Sequence, residues 1–268
     1  MKLSDFYKIL AQAIAEFRKT GYDSRDRLNY WLSRLRIAAI AVLPSYDKVR
    51  RLVQARLGKK FKDATSPTAL NRHHPALSQY TIQRMGPRLA PILERRIMAS
   101  VDLIKLNREQ SIEKVLQRFS GLVTSMPPGG SRTGDDTKAI AKSLRQMTFE
   151  ERRVVIDQGH KLVANVQQTI AEDNNAIGFV WRHVHQVGYD ARPEHEARDG
   201  QFYALRDNWA IQAGLMKRGP NPYSDEIEAV GELPYCRCWA LWVYNIRDLP
   251  PECLTEKGRN QIERKDAR

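Results

Sequence analysis

A chain of 268 residues with 42% hydrophobic residues and a mean hydropathy of -0.55 can bury one large core or two modest ones, which excludes wholesale disorder. Its longest apolar run, IAAIAVL at 37–43, is far short of the roughly 20 residues a bilayer span needs, and no unbroken apolar stretch with a cleavage site opens the chain. Neither a membrane-spanning nor a secreted protein is expected, and the cytoplasm in which it is made is the expected place of folding. The net charge of +13 and pI near 9.8 imply attraction to polyanions, and three cysteines, an odd number, argue against a disulfide framework and for thiols or metal ligands.

In chain order, Ser4 or Asp5 opens a helix on which Phe6, Ile9, Leu10, Ala13, Ile14 and Phe17 recur at helical spacing until Gly21. A second helix runs from about Ser24 to Pro44 over Leu28, Trp31, Leu32, Leu35 and Ile40. A third runs from Ser45 to about Gly58. Their polar faces carry Arg34, Arg36, Lys48, Arg50, Arg51, Arg56, Lys59 and Lys60, the candidate nucleic-acid contacts, while Trp31 reads as core rather than as a platform for base stacking. The turn-rich segment 66–80 contains His73, His74 and Pro75; adjacent histidines before a proline read as a solvated loop, with a metal site as the lesser alternative. A long helix follows from about Pro87, so the first half is expected to be all-helical.

Residues 120–137 concentrate Pro, Gly, Ser and Thr and read as a linker. Beyond them, a short helix precedes a Thr148/Glu151 capping box that opens a longer one, closing at Asn174 and Asn175. The period then changes to two in GFVWRHVHQV (178–187) and again in CRCWALWVYN (236–245), which predicts strands. The expected class is α+β: an all-helical N-terminal half, then a small module with a short, mostly antiparallel sheet. The expected division is a helical domain at 1–119, the linker, the α+β module at 138–250, and a polar tail at 251–268 that is either mobile or a short docking helix.

Residues two apart on a strand share a face, so Cys236 and Cys238 can point together, as can His183 and His185. With His195 from the charged loop YDARPEHEARDGQFY (189–203), and one of those two histidines, they form a candidate tetrahedral zinc site of thiolate and imidazole. The competing reading takes the cysteines as small buried hydrophobes and Asp199-Gly200 as a tight turn. A catalytic reading makes His195 a general base oriented by Asp199 or Glu196. No nucleophile elbow, phosphate loop or HExxH helix accompanies it, and no enzyme activity is expected.

Trp181, Asp190, Arg192, His195, Asp199-Gly200, a Pro- and Gly-bearing spacer and Cys236-Arg237-Cys238, in that order, resemble the C-terminal module of the Mu F-like phage head morphogenesis proteins over about residues 136–250. Tyr235 departs from the pattern, since the family often has Asn before the C-R-C. The resemblance implies a minor head protein of a tailed bacteriophage, present in a few copies inside the capsid and associated with the portal protein. Its role would lie in head morphogenesis, packaging of double-stranded DNA or genome ejection, with the major capsid or scaffold protein as further candidate partners. It also implies that these residues hold the module's fold or a metal rather than an active site. Two alternatives are a metal-dependent enzyme or toxin-like module, a hydrolase centred on His195, acting on nucleic acid or a host target, and a plain DNA-binding module.

Overall fold

The computed structural model describes residues 1–129, 136–184 and 192–266. It is α+β, with ten α-helices and one three-stranded antiparallel sheet among those residues. The helices are α1 (Leu3–Thr20), α2 (Arg25–Val42), α3 (Tyr46–Ala64), α4 (Pro67–His73), α5 (Gln79–Thr124), α6 (Asp136–Ile140), α7 (Lys142–Asp173), α8 (Pro193–Ala197), α9 (Trp209–Gln212) and α10 (Glu256–Asp266). The strands are β1 (Gly178–Arg182), β2 (Phe202–Ala204) and β3 (Trp239–Val243), in the order β2-β1-β3. No helix among the described residues is long and apolar enough to cross a membrane.

The chain forms two compact units that interleave along the sequence: residues 1–53 with 98–155, and residues 54–97 with 156–268. This differs from the consecutive division at 120–137. Long helices α3, α5 and α7 each contribute residues to both units, so packing partners, not chain order, define them. The first residues of the expected linker are the last turn of α5, and 130–135 lie outside the described residues.

In the first unit, the apolar helix faces read from the sequence pack together. Phe6, Leu10, Ala13, Ile14 and Phe17 of α1 pack with Leu28, Trp31, Leu35 and Ala39 of α2, the end of α5 (Ile112 to Val123) and Ile140, Leu144 and Met147. Ser24 caps α2 by accepting the Arg27 N–H, and Asp5 closes the start of α1 by accepting the Lys2 N–H. Leu144 and Met147 hold the chain helical through Thr148, so the expected capping box there is not a helix start: α7 runs unbroken from Lys142. Burial of an apolar face outweighs a local capping signal worth about 1 kcal/mol. Arg108, fully buried, is compensated by Glu151 and the Pro44 carbonyl.

In the second unit both faces of the sheet are covered, which explains its brevity of polar positions. Phe179 and Trp181 of β1, Tyr203 of β2, and Ala240 and Trp242 of β3 share one face with Ala171 of α7. Phe202, Ala204 and Val243 look the other way, onto Ala210, Leu215, Met216, Ile246, Leu249 and Leu254. Gly178 is required where it stands, because a Cβ there would come within 2.4 Å of the Phe202 ring. The polar tail carries a helix, α10, whose half-buried Ile262 packs on that second core.

The segment 66–80 is a correction. Ser66 accepts the Ala69 N–H and Pro67 occupies the first turn, which nucleates α4 where a loop was expected. The helix carries His73 and His74 into the interior, at 7% and 0% exposure. The His73 Nδ1–H donates to the Ala240 carbonyl at 3.0 Å, so α4 satisfies and covers the open edge of β3. His74 stacks parallel to Trp242, its Nε2 is 2.7 Å from the Gln167 amide oxygen, and its Nδ1 is 2.6 Å from the Tyr244 hydroxyl. Since the Gln167 amide nitrogen donates to the Ala64 carbonyl, its oxygen must accept, so His74 is protonated at Nε2. Burial lowers the His74 pKa to about 4, so at neutral pH the ring is neutral and its Nδ1 accepts the Tyr244 hydroxyl proton.

Candidate metal centre

Residues 192–201 of the charged segment fold into a knot against the end of β1. Gln201 N–H closes on the Arg198 carbonyl, with Gly200 at φ +77, and Gly200 N–H then donates to the Trp181 carbonyl, returning the chain antiparallel to β1. The Asp199 carboxylate accepts the His183 N–H at 2.9 Å and so ties down the residue just after β1. Pro193 starts α8, a single short helix that turns His195 inward to 4% exposure. Arg192 donates to the Pro234 carbonyl at 2.9 Å, linking this knot to the segment before the cysteines.

Cys236 and Cys238 are not on a strand, as the alternation suggested: β3 begins only at Trp239. They leave a tight turn in which Cys236 N–H donates to the Leu233 carbonyl, with Pro234 second and Tyr235, at φ +61, third. Proline second and a positive φ third is the pattern of a type II turn, whose third place favours Gly or Asn. Tyr235 is held there by its N–H donating to Asp157 at 2.6 Å. Replacing Tyr235 by Asn is expected to raise the midpoint of thermal unfolding, by a stabilisation of up to about 1 kcal/mol.

The sulfurs converge all the same. His195, Cys236 and Cys238, all buried, present ligand atoms within 4.8 Å of one another. His195 Nδ1 lies 3.5 Å from Cys236 Sγ and 3.6 Å from Cys238 Sγ, and His183 Nδ1, on a residue 8% exposed, lies 3.5 Å from Cys238 Sγ. A tetrahedral ion bound by imidazole and thiolate at about 2.0–2.3 Å holds neighbouring donors about 3.5–3.8 Å apart. The His195 distances to the two sulfurs match that spacing, and the His195/Cys236/Cys238 group can hold a metal, with His183 beside Cys238. The hydrogen bond between the two thiols pushes their pKa values apart: Cys236 is pushed down, chiefly as its acceptor and against burial, while Cys238 is pushed up, chiefly as its donor and further by burial. The Trp181 ring stands edge-on to His195 at 5.3 Å, and Arg198 lies over Trp181 while paired with Glu228 at 2.7 Å.

Of the other expected site residues, His185 and Asp190 lie outside the described residues. Arg34, Arg36, Lys48, Arg50, Arg51, Arg56, Lys59 and Lys60 are exposed on α2 and α3; Arg36 pairs with Glu113 and Arg34 packs on Tyr30 and Trp31. Trp31 is in the core. The buried His73/His74/Gln167 network was not foreseen. Its only signal in the sequence was Ser66-Pro67, a helix start ahead of two histidines. No family model matches the chain, and neither the curated proteins nor the solved structures give a match.

Proposed function

We propose that this chain is a minor head protein of a tailed bacteriophage, located inside the head with the portal and acting in head morphogenesis, packaging or ejection of double-stranded DNA, and that a zinc ion staples its second unit through His195, Cys236, Cys238 and His183. The observation that carries the reading is convergence. Residues of the ordered motif up to 43 positions apart, His195 with Cys236 and Cys238, meet at one buried cluster, as they would if the motif defines a module. Borderline-soft thiolate and imidazole donors favour zinc, and four protein donors make a closed, structural site with no position left for substrate. Bound there, the ion would cross-link the knot after β1 to the turn before β3.

The same burial speaks against the hydrolase alternative, since a general base must reach a substrate proton and His195 is enclosed by Trp181 and two sulfurs. A net charge of +13 suits a head lumen filled with DNA. The exposed cations of α2 and α3 would face nucleic acid or the portal, and the major capsid or scaffold protein is a further candidate partner.

The test is quantitative mass spectrometry of particles from the source phage or induced prophage, counting this chain against the portal before and after DNA release. A few copies per particle are expected, and their loss on emptying would add ejection with the genome. Absence from particles at every stage would overturn the reading.

A further inference from the structure

Helix α2 buries Leu28, Trp31, Leu35 and Ala39 in the core of the first unit. A surface helix ordinarily turns charged and polar side chains away from such a stripe. On α2 the outward side is apolar instead: Tyr30, Ile37 and Ile40 are 53%, 68% and 55% exposed, with Ser33, also exposed, between them. Their spacing of three, four and three residues is that of a heptad seam, and at 3.6 residues per turn it falls on the side of the helix away from Leu28, Leu35 and Ala39. Single exposed apolar side chains are ordinary. Three in register along about 15 Å of one helix form a ridge on which a second helix can pack.

Charge decides what kind of helix. Beside the seam, α2 exposes Arg34 on one flank and Arg25 and Arg36 on the other, against Asp26 at its N-terminal end. Arg36 pairs with Glu113 of α5. Arg34 has no carboxylate partner among the described residues: its guanidinium donates to the Tyr30 hydroxyl at 2.8 Å and lies over the Tyr30 and Trp31 rings, 5.6 and 5.3 Å from their centroids. Held by two rings, it loses little freedom on pairing, and its remaining N–H groups can take a carboxylate. A second copy of α2, crossing at the middle of the seam, would set arginine against arginine. A phosphate backbone would leave Ile37 and Ile40 without an apolar contact.

We propose that the outer face of α2 docks an acidic amphipathic helix of a partner protein, with apolar side chains against Tyr30, Ile37 and Ile40 and a carboxylate on Arg34. The surface fits this partner whether or not the chain belongs to a phage head.

Fluorescence anisotropy of the full-length protein with a labelled three-heptad peptide tests this at about 0.15 M salt. The peptide carries Leu at the a and d positions and Glu at e and g, which keeps it from pairing with itself. It is expected to bind saturably, one per chain, and a peptide with Lys in place of every Glu to bind at least tenfold more weakly. Ile37→Glu should abolish binding, and Arg34→Glu should weaken it about tenfold, the loss of one charge-assisted pair. Both residues are exposed, so both variants should keep the wild-type circular dichroism. No saturable binding, equal binding of the two peptides, or an Ile37→Glu variant that binds like wild type would overturn the site. Three further outcomes would overturn it by naming another occupant, each recognised by its loss in Ile37→Glu: a dimer in sedimentation velocity, binding to vesicles containing anionic lipid, or binding to duplex DNA.

Discussion

Purified from zinc-replete medium without chelator, the protein is expected to carry about one equivalent of zinc per chain, and a Cys236→Ser/Cys238→Ser variant to carry none. Loss of the metal should unfold the second unit preferentially. At free zinc about a thousand times its Kd, the stabilisation amounts to roughly 4 kcal/mol, a large fraction of what a unit of this size has to lose. The location follows from the contacts. The metal would join the knot at Asp199-Gly200 to the turn at Pro234-Tyr235, two segments that Arg192 also ties together by donating to the Pro234 carbonyl. The first unit, with its core of Phe6, Phe17, Trp31 and Phe119, contains none of the ligands and should melt as before. Elemental analysis gives the stoichiometry, and thermal unfolding of wild-type, chelator-treated and double-variant protein gives the loss. Zinc below a tenth of an equivalent, with a double variant as stable as wild type, would leave Cys236 and Cys238 as buried hydrophobes and sink the staple.

How much of this was legible in the sequence varies with the range of the interaction that decides each element. The helices α1 and α2 were readable because their apolar period, their caps and the glycine or proline that ends them are all local. The Thr148/Glu151 box is also local, yet it lost to the burial of Leu144 and Met147, which no local rule contains. Alternation identified β1 and β3 but overran both. Pairing with β2 ends at Val180, and Trp239 is the first residue opposite Arg182. Strand β2, three residues long, is too short to show a period at all. The candidate metal centre was assembled from residue types and spacing, with the wrong local reason: the cysteines converge through a proline turn, not a shared strand face. His73 and His74 were misread because a proline-flanked histidine pair looks solvated until a strand edge arrives to bury it, 167 residues away in sequence. The interleaving of the two units has the same origin, since it depends on which helices touch.

Stability of the second unit is expected to fall steeply as the pH drops from about 6.5 towards 4, and His74 should account for much of the fall. Burial, first, lowers its pKa from 6.5 to about 4, with the Gln167 hydrogen bond opposing and the neighbouring His73 adding to the effect. The folded state therefore keeps His74 neutral where the unfolded chain already protonates it. Between those two values the unfolded state binds more protons, so its free energy falls relative to the native state as acid is added. The contribution is complete above pH 6.5 and is lost progressively down to about pH 4, amounting to roughly 3 kcal/mol at 1.36 kcal/mol per pKa unit. His73 and His160, whose pKa values burial also lowers, act in the same direction. Acid would also strip zinc from its ligands, so wild-type protein alone cannot isolate the effect. A His74→Phe variant does. It keeps an aromatic ring against Trp242 but cannot titrate, and it leaves the Tyr244 hydroxyl and the Gln167 amide oxygen without their partner. Urea unfolding of both proteins between pH 7 and pH 4.5 should show the variant less stable at pH 7 and the gap closing by about 2–3 kcal/mol at the acid end. Parallel curves would mean that His74 does not change its protonation on unfolding, and the neutral, doubly hydrogen-bonded histidine at the edge of β3 would have to be given up.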